Sequence, residues 1–164
     1  MTQWLTPDER AAWVGLAALL ERLPGVLETQ LRRDSDLTHF EYWVLAMLSE
    51  SPEGTLRMSQ VATFTSATLP RLSHVVTRLE GRGLVRRSAC PTDSRATNLS
   101  LTEDGWRTVV EAAPGHVENV RSNIIDVLTP EQLAQLEAIS LSILTRVAPE
   151  WVEALQRTAR PTAG

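Results

Sequence analysis

The chain has 164 residues and is 43% apolar, which suits one compact domain, or one domain with added dimerisation helices. No stretch approaches the about eighteen apolar residues of a membrane helix. The N-terminus has no basic leader with a cleavage site, and a lone Cys90 excludes an internal disulfide framework, so a cytoplasmic protein is expected.

The net charge of −4 at first argues against a polyanionic partner, but the charges are unevenly placed. All 16 basic residues are Arg; between Arg57 and Arg95 seven Arg meet two acids, whereas the rest of the chain sets nine Arg against 18 acids. An acidic body repels a nucleic acid everywhere except at that basic block, which orients the encounter.

In chain order, Thr6-Pro7-Asp8-Glu9 carries a capping Thr, a first-turn Pro and a Glu three residues after the cap, and so starts a helix. Its apolar stripe runs from Leu16 through Leu31, with a kink expected at Pro24-Gly25. Thr38-His39-Phe40-Glu41 repeats the capping box and starts a second helix that ends at Ser51-Pro52-Glu53-Gly54. A short helix is expected at about Met58 to Thr63. Another begins near Thr68, shows Leu69, Leu72, Val76 and Leu79 on one side, and stops at Gly81 or Gly83.

The period then changes to two. Residues 84–87 read as one strand and 96–101 as its partner, with Cys90 to Arg95 as a turn-rich tip. A long helix follows Thr102, with a bend expected at Pro114-Gly115. Thr129-Pro130-Glu131-Gln132 starts a last helix reaching Trp151, and residues from about Arg157 onward read as frayed. The expected fold is mostly α with a small β-hairpin wing: a winged helix-turn-helix domain plus N- and C-terminal dimerisation helices. Within a single unit spanning 1–164, residues 35–102 form the winged part, and 6–33 and 103–156 form the dimerisation helices.

In a helix-turn-helix the second helix enters the major groove. Here its non-stripe positions Thr68, Pro70, Arg71, Ser73, His74 and Arg78 are the candidates for DNA contact. Arg71 can donate a bidentate pair to guanine, Ser73 and His74 suit bases or phosphates, and Arg78 suits a phosphate. On the hairpin, Asp93 two residues before Arg95 is expected to brace that guanidinium for a narrow minor groove, with Arg86 and Arg87 at the wing's base within reach of phosphate. Pro70 in the first turn leaves the start of this helix open.

The stretches Arg78 to Arg87, Pro91 to Thr97, and Leu99 to Gly105, preceded by Leu56 to Ala62, closely resemble MarR-family regulators. The resemblance covers roughly residues 35 to 145. It implies a homodimer in which the first and the last two helices intertwine, with two winged domains on adjacent half-sites of a pseudo-palindromic double-stranded DNA operator. It further implies a transcriptional regulator, by family habit a repressor, released by a small ligand or by oxidation. Family members often bind ligands where the winged domain meets the dimer helices. Candidates there are Trp13, His39, Tyr42, Trp43, Trp106 and His116, which suit a small aromatic or phenolic effector, although core or interface residues are the favoured reading. Cys90 is the redox candidate, with Arg86, Arg87 and Arg95 expected to favour its thiolate; the competing reading is an inert loop residue. The redox-sensing relatives carry their reactive cysteine in the first helix, where this chain has none.

No catalytic constellation, cofactor motif or metal motif is found, so an enzyme is not expected. The competing class is a winged helix that contacts an acidic protein partner and binds no specific DNA.

Overall fold

A computed structural model describes residues 1–158, with side chains through 156. Helix α1, Pro7–Ser35, and α2, His39–Ser49, both start in full capping boxes, Thr6 with Glu9 and Thr38 with Glu41. A short turn at Pro52–Gly54 leads to strand β1, Thr55–Arg57, then to α3, Met58–Phe64, and α4, Leu69–Gly81. Strands β2, Val85–Cys90, and β3, Asp93–Leu101, form the wing. Helix α5, Glu103–Val120, continues through a π-helical turn at 121–125. Helices α6, Pro130–Val147, and α7, Pro149–Thr158, complete the described chain.

The helix starts match the sequence reading because capping is local, reaching only three residues. Three features differ. The sheet has three antiparallel strands in the order β1-β3-β2, because the three residues of β1 pair with β3, Leu56 opposite Leu99. A three-residue strand has no readable period. The wing tip is shorter than expected: pairing runs to Cys90 opposite Asp93, leaving Pro91 and Thr92 as the turn. The final helix is broken in two at Ala148, which leaves helical geometry at φ −150°, ψ 60° because Pro149 follows it. Helices α1 and α5 run unbroken through Pro24 and Pro114, the positions where bends are expected. The fraying expected from Arg157 onward lies mostly outside the described residues; α7 itself runs to Thr158.

One apolar core sits inside the winged part. Leu31 and Leu37 close it from α1 and the following loop. Val44, Leu45 and Leu48 enter from α2, Val61 from α3, Leu72, Val76 and Leu79 from α4, and Leu99 from β3. Packing on the wing is tight at Gly105: a Cβ there would lie 2.0 Å from the Leu84 carbonyl oxygen, so only glycine lets the first turn of α5 approach the wing.

The outer helices are different. No residue of α6 is buried within the protomer, and Leu136, Ile139, Ile143 and Val147 are exposed. Leu16, Leu19 and Leu20 of α1 and Val110 and Val117 of α5 are exposed as well. None of the described helices is long and apolar enough to cross a membrane.

Candidate nucleic-acid interface

Thr68 is the N-cap of α4, its hydroxyl accepting the Arg71 N–H at 3.4 Å, which places Pro70 at the second helical position. The N–H that Pro lacks has no helical partner there, so Pro70 is accommodated. With Leu72, Val76 and Leu79 turned inward, the helical repeat puts Pro70, His74 and Gly81 on the opposite side, with Thr77 beside them. His74 is exposed. Leu69, expected on the inner stripe, is instead exposed beside the wing.

The Arg block is partly consumed internally. Arg78 donates to Glu41 at 2.9 Å. Glu41 is 3% exposed. Burial pushes its carboxyl upward, but hydrogen bonds from Thr38 and the Arg78 charge outweigh this and hold it below its usual value. Arg78 therefore ties α4 to α2 through its Nε, and its half-exposed side chain is not unpaired as expected from the sequence. Arg87 is likewise committed: it pairs with Glu80 and donates to the Ser73 carbonyl at 2.8 Å and the Ser73 and Thr77 hydroxyls at 3.2 Å. Alternation along β2 sends Arg86 to the other face of the sheet, so the two cannot serve one phosphate. Arg82, unassigned from sequence, donates to the Asp36 carbonyl at 2.9 Å. Arg71 lies with its guanidinium carbon 4.6 Å from the centre of the Phe40 ring, a cation–π contact that it must leave to reach a base.

The wing tip is built differently from the expected Asp93–Arg95 brace. Asp93 Oδ1 accepts the backbone N–H of Arg95 at 3.1 Å, while Oδ2 lies 3.9 Å from Arg57 Nη1. Arg57 also donates to the Thr92 hydroxyl at 3.5 Å. Asp93 thus shapes the turn and engages Arg57, and the Arg95 side chain is left exposed without a carboxylate partner among the described residues. Arg57 lines the cleft but was not among the site candidates read from sequence; its membership of the basic block was the available signal. Between α4 and the wing lies an open cleft of about 410 Å³, lined by Arg57, Met58, Leu69, Ser73, Asp93 and Arg95 among others. Of the seven Arg in the block, Arg57, Arg78, Arg82 and Arg87 have ion-pair partners among the described residues.

Cys90 is 8% exposed, and its Sγ lies 3.4 Å from the Thr92 hydroxyl. Its thiol is held below the usual value by hydrogen bonds with Thr92 and the Asp93 backbone and by the Arg57 charge. The expected influence of Arg86, Arg87 and Arg95 is not the cause.

Four of the six ligand candidates gather. Tyr42 and His116 have ring centres 4.4 Å apart, His39 and His116 6.4 Å, and His39 meets Trp43 edge to face at 5.7 Å. Burial pushes both imidazoles below their ordinary value, and Glu28 partly offsets this for His39, whereas His39 adds to it for His116. Trp13 and Trp106 do not join them. Trp13 stands exposed on α1. Trp106 covers Gly54, where a Cβ would lie 2.9 Å from the indole ring and φ is +64°. Beside the cluster, a cavity of about 400 Å³ between α1 and α5 is lined by Gln30, Arg33, Asp34, Gly115 and Asn119 among others. Gln30 Oε1 and His116 Nδ1 are buried without a hydrogen-bond partner among the described residues. Nothing in the sequence marks Gln30, which becomes notable only by its burial.

A family model described as MarR family matches residues 35–96. YfiV of Bacillus subtilis strain 168, an uncharacterized HTH-type transcriptional regulator, is 31% identical over 145 residues, covering 87% of this chain and 86% of its own length. The crystal structure of Sco3205, a MarR family transcriptional regulator from Streptomyces coelicolor in complex with DNA, superposes with a TM-score of 0.86 at 39% identity, covering 90% of this chain and 92% of that one. AbsC, a MarR family transcriptional regulator from the same organism, gives a TM-score of 0.82 at 40% identity, covering 91% and 97%. With the fold, the wing and the helix-turn-helix agreeing along nine-tenths of the chain, the protein belongs to the MarR family of transcriptional regulators.

Proposed function

We propose that two copies of this chain bind a pseudo-palindromic double-stranded operator and regulate transcription from it, by occlusion of the promoter. The observation that carries the reading is the cleft between Leu69 and Ser73 on the wing side of α4 and Arg95 on the wing. The α4 face offers Thr68, Pro70, His74 and Thr77 to a major groove, with Ser73 at the cleft edge and Arg71 released from Phe40 on binding. Arg95 suits the adjacent minor groove, where negative potential favours an unpaired guanidinium. Arg86 remains a candidate for backbone contact; Arg78 and Arg87 act by holding α4 in place.

Exposed aliphatic side chains recur on α1, α5 and α6, and a second copy is their natural cover. Two-fold symmetry then sets half-site centres about 10 base pairs apart. The likeness to Sco3205, solved with DNA, supports this reading over an acidic protein partner. A mobility-shift titration with duplexes selected from a random library tests it. Specific binding that weakens steeply with salt is expected; a protein that retains no duplex at low salt is not this regulator.

For release, we favour a small aromatic or phenolic effector at His39, Tyr42 and His116 over oxidation, since the Cys90 sulfur is buried in the wing turn. Two buried polar atoms lacking partners, on Gln30 and His116, flank the α1–α5 seam and would gain from a ligand hydroxyl. A panel of phenols and of peroxides, scored by loss of the DNA complex, separates the two routes.

A further inference from the structure

The last carbonyls of a helix lack partners within it. At the end of α3 each finds one outside. Val61 O accepts the Thr65 N–H at 2.9 Å, Ala62 O the Ala67 N–H at 3.0 Å, and Thr63 O the Ser66 N–H at 3.1 Å. Phe64 O, the final one, accepts two indole N–H groups, Trp43 Nε1 from α2 and Trp151 Nε1 from α7, each at 3.2 Å. A carbonyl oxygen has two lone pairs, so the two indoles saturate it. This carbonyl opens the turn Thr65-Ser66-Ala67, in which Ser66 has φ +50°, and the turn ends at Thr68, the cap of α4. The two indoles therefore hold the turn that sets the angle between the two helices of the DNA-reading motif.

Trp43 belongs to the winged part. Trp151 comes from α7, directly after the break at Ala148 and directly after α6, whose aliphatic face is exposed. One turn on, Ala154 is buried in the same core, so α7 is seated by more than one side chain. Elsewhere the winged part joins the outer helices through two covalent connections, residues 36–38 and Thr102. Through space, α1 and α5 also pack on it, with Leu31, Val109 and Ala112 in the shared core and Tyr42 against His116; the α7 contact is the one that ties it to the end of α6.

We infer that Trp151 is a positioning residue for DNA recognition: by binding Phe64 O it locks the helix-turn-helix to α6 and thereby fixes the separation of the two recognition helices. The inference rests on the dimeric DNA-reading function proposed above. It requires no contact between Trp151 and DNA. What Trp151 controls is the tolerance of the dimer for half-sites at the wrong spacing.

The test uses the full chain and duplexes selected from a random library by the wild type, together with versions whose half-sites are one base pair closer or further apart. The wild type is expected to reject the altered spacings. Trp151→Phe keeps the ring and removes the N–H. It should bind the best duplex at most about fivefold more weakly, the ceiling set by one neutral hydrogen bond, and lose most of its spacing discrimination, with dimerisation and helix content unchanged. Two glycines inserted between Ala148 and Pro149 leave Trp151 seated but slacken its link to α6, and should relax spacing in the same way. Trp43→Phe, whose bond lies inside the winged part, should keep the discrimination. Wild-type spacing discrimination in the glycine insertion or in a folded Trp151→Phe protein overturns the inference. So does a Trp151→Phe protein whose DNA binding falls only in step with its dimerisation. If Trp151→Phe fails to fold, the glycine insertion decides alone. If the wild type selects no duplex, it is the DNA-reading function that fails.

Discussion

The winged part and the outer helices obey opposite rules. In α2 five of eleven residues are buried, while in α6 none of eighteen is. Ion pairs divide by reach: within the winged part Arg78 and Arg87 are bound to Glu41 and Glu80 and hold α4 against α2 and β2, whereas among the described residues those of the outer helices join residues at most five apart. The first region is completed by its own chain. The second carries an apolar face that its own chain leaves exposed, and under the proposed function a second copy covers it.

The largest effect expected from this contrast is on the outer helices. Ile139→Glu places a charge on the exposed face of α6 and should turn a dimer into monomers, abolishing operator binding while the winged core stays folded. Size exclusion with circular dichroism reads both, and a stable dimer would mean that this face is not the interface. In the winged part, Leu72→Ala removes a fully buried side chain and should cost about 2–5 kcal/mol in urea denaturation. A much smaller loss would show that the core is loosely packed.

Smaller effects sharpen the division of labour among the arginines. Arg95→Ala should lower affinity by about 1–3 kcal/mol, chiefly for sites with an A·T-rich flank, and leave stability untouched. Equal binding with and without the substitution removes the wing from the interface. Arg78→Ala should do the reverse, costing about 1–3 kcal/mol of stability because Glu41 stays buried, with little change in non-specific DNA affinity. A loss confined to DNA binding would restore Arg78 as a phosphate contact. The smallest effect is a pH dependence. His39 and His116 are held neutral by burial, so their contribution to stability is intact above their ordinary value of 6.5 and is lost as the pH falls through the lowered folded values. Melting temperature should therefore decline on acidification below about pH 6.5, and His116→Gln should flatten that decline.

What the amino-acid order determined by itself is whatever depends on residues a few positions apart. The caps at Thr6, Thr38, Thr102 and Thr129, the inward stripe of α4 apart from Leu69, and the hairpin were legible, because capping, helical spacing and strand alternation act within three or four residues. The basic block and the family likeness located the DNA-reading part for the same reason. Partner choice across long separations was decided only in three dimensions. Asp93 pairs with Arg57 and not with Arg95, Glu41 captures Arg78, Trp106 settles on Gly54, and Trp151 reaches Phe64 across 87 positions. Which arginine is free and which is a clamp depends on what lies within a few ångströms once the helices have packed, and residue spacing along a chain carries no such distance.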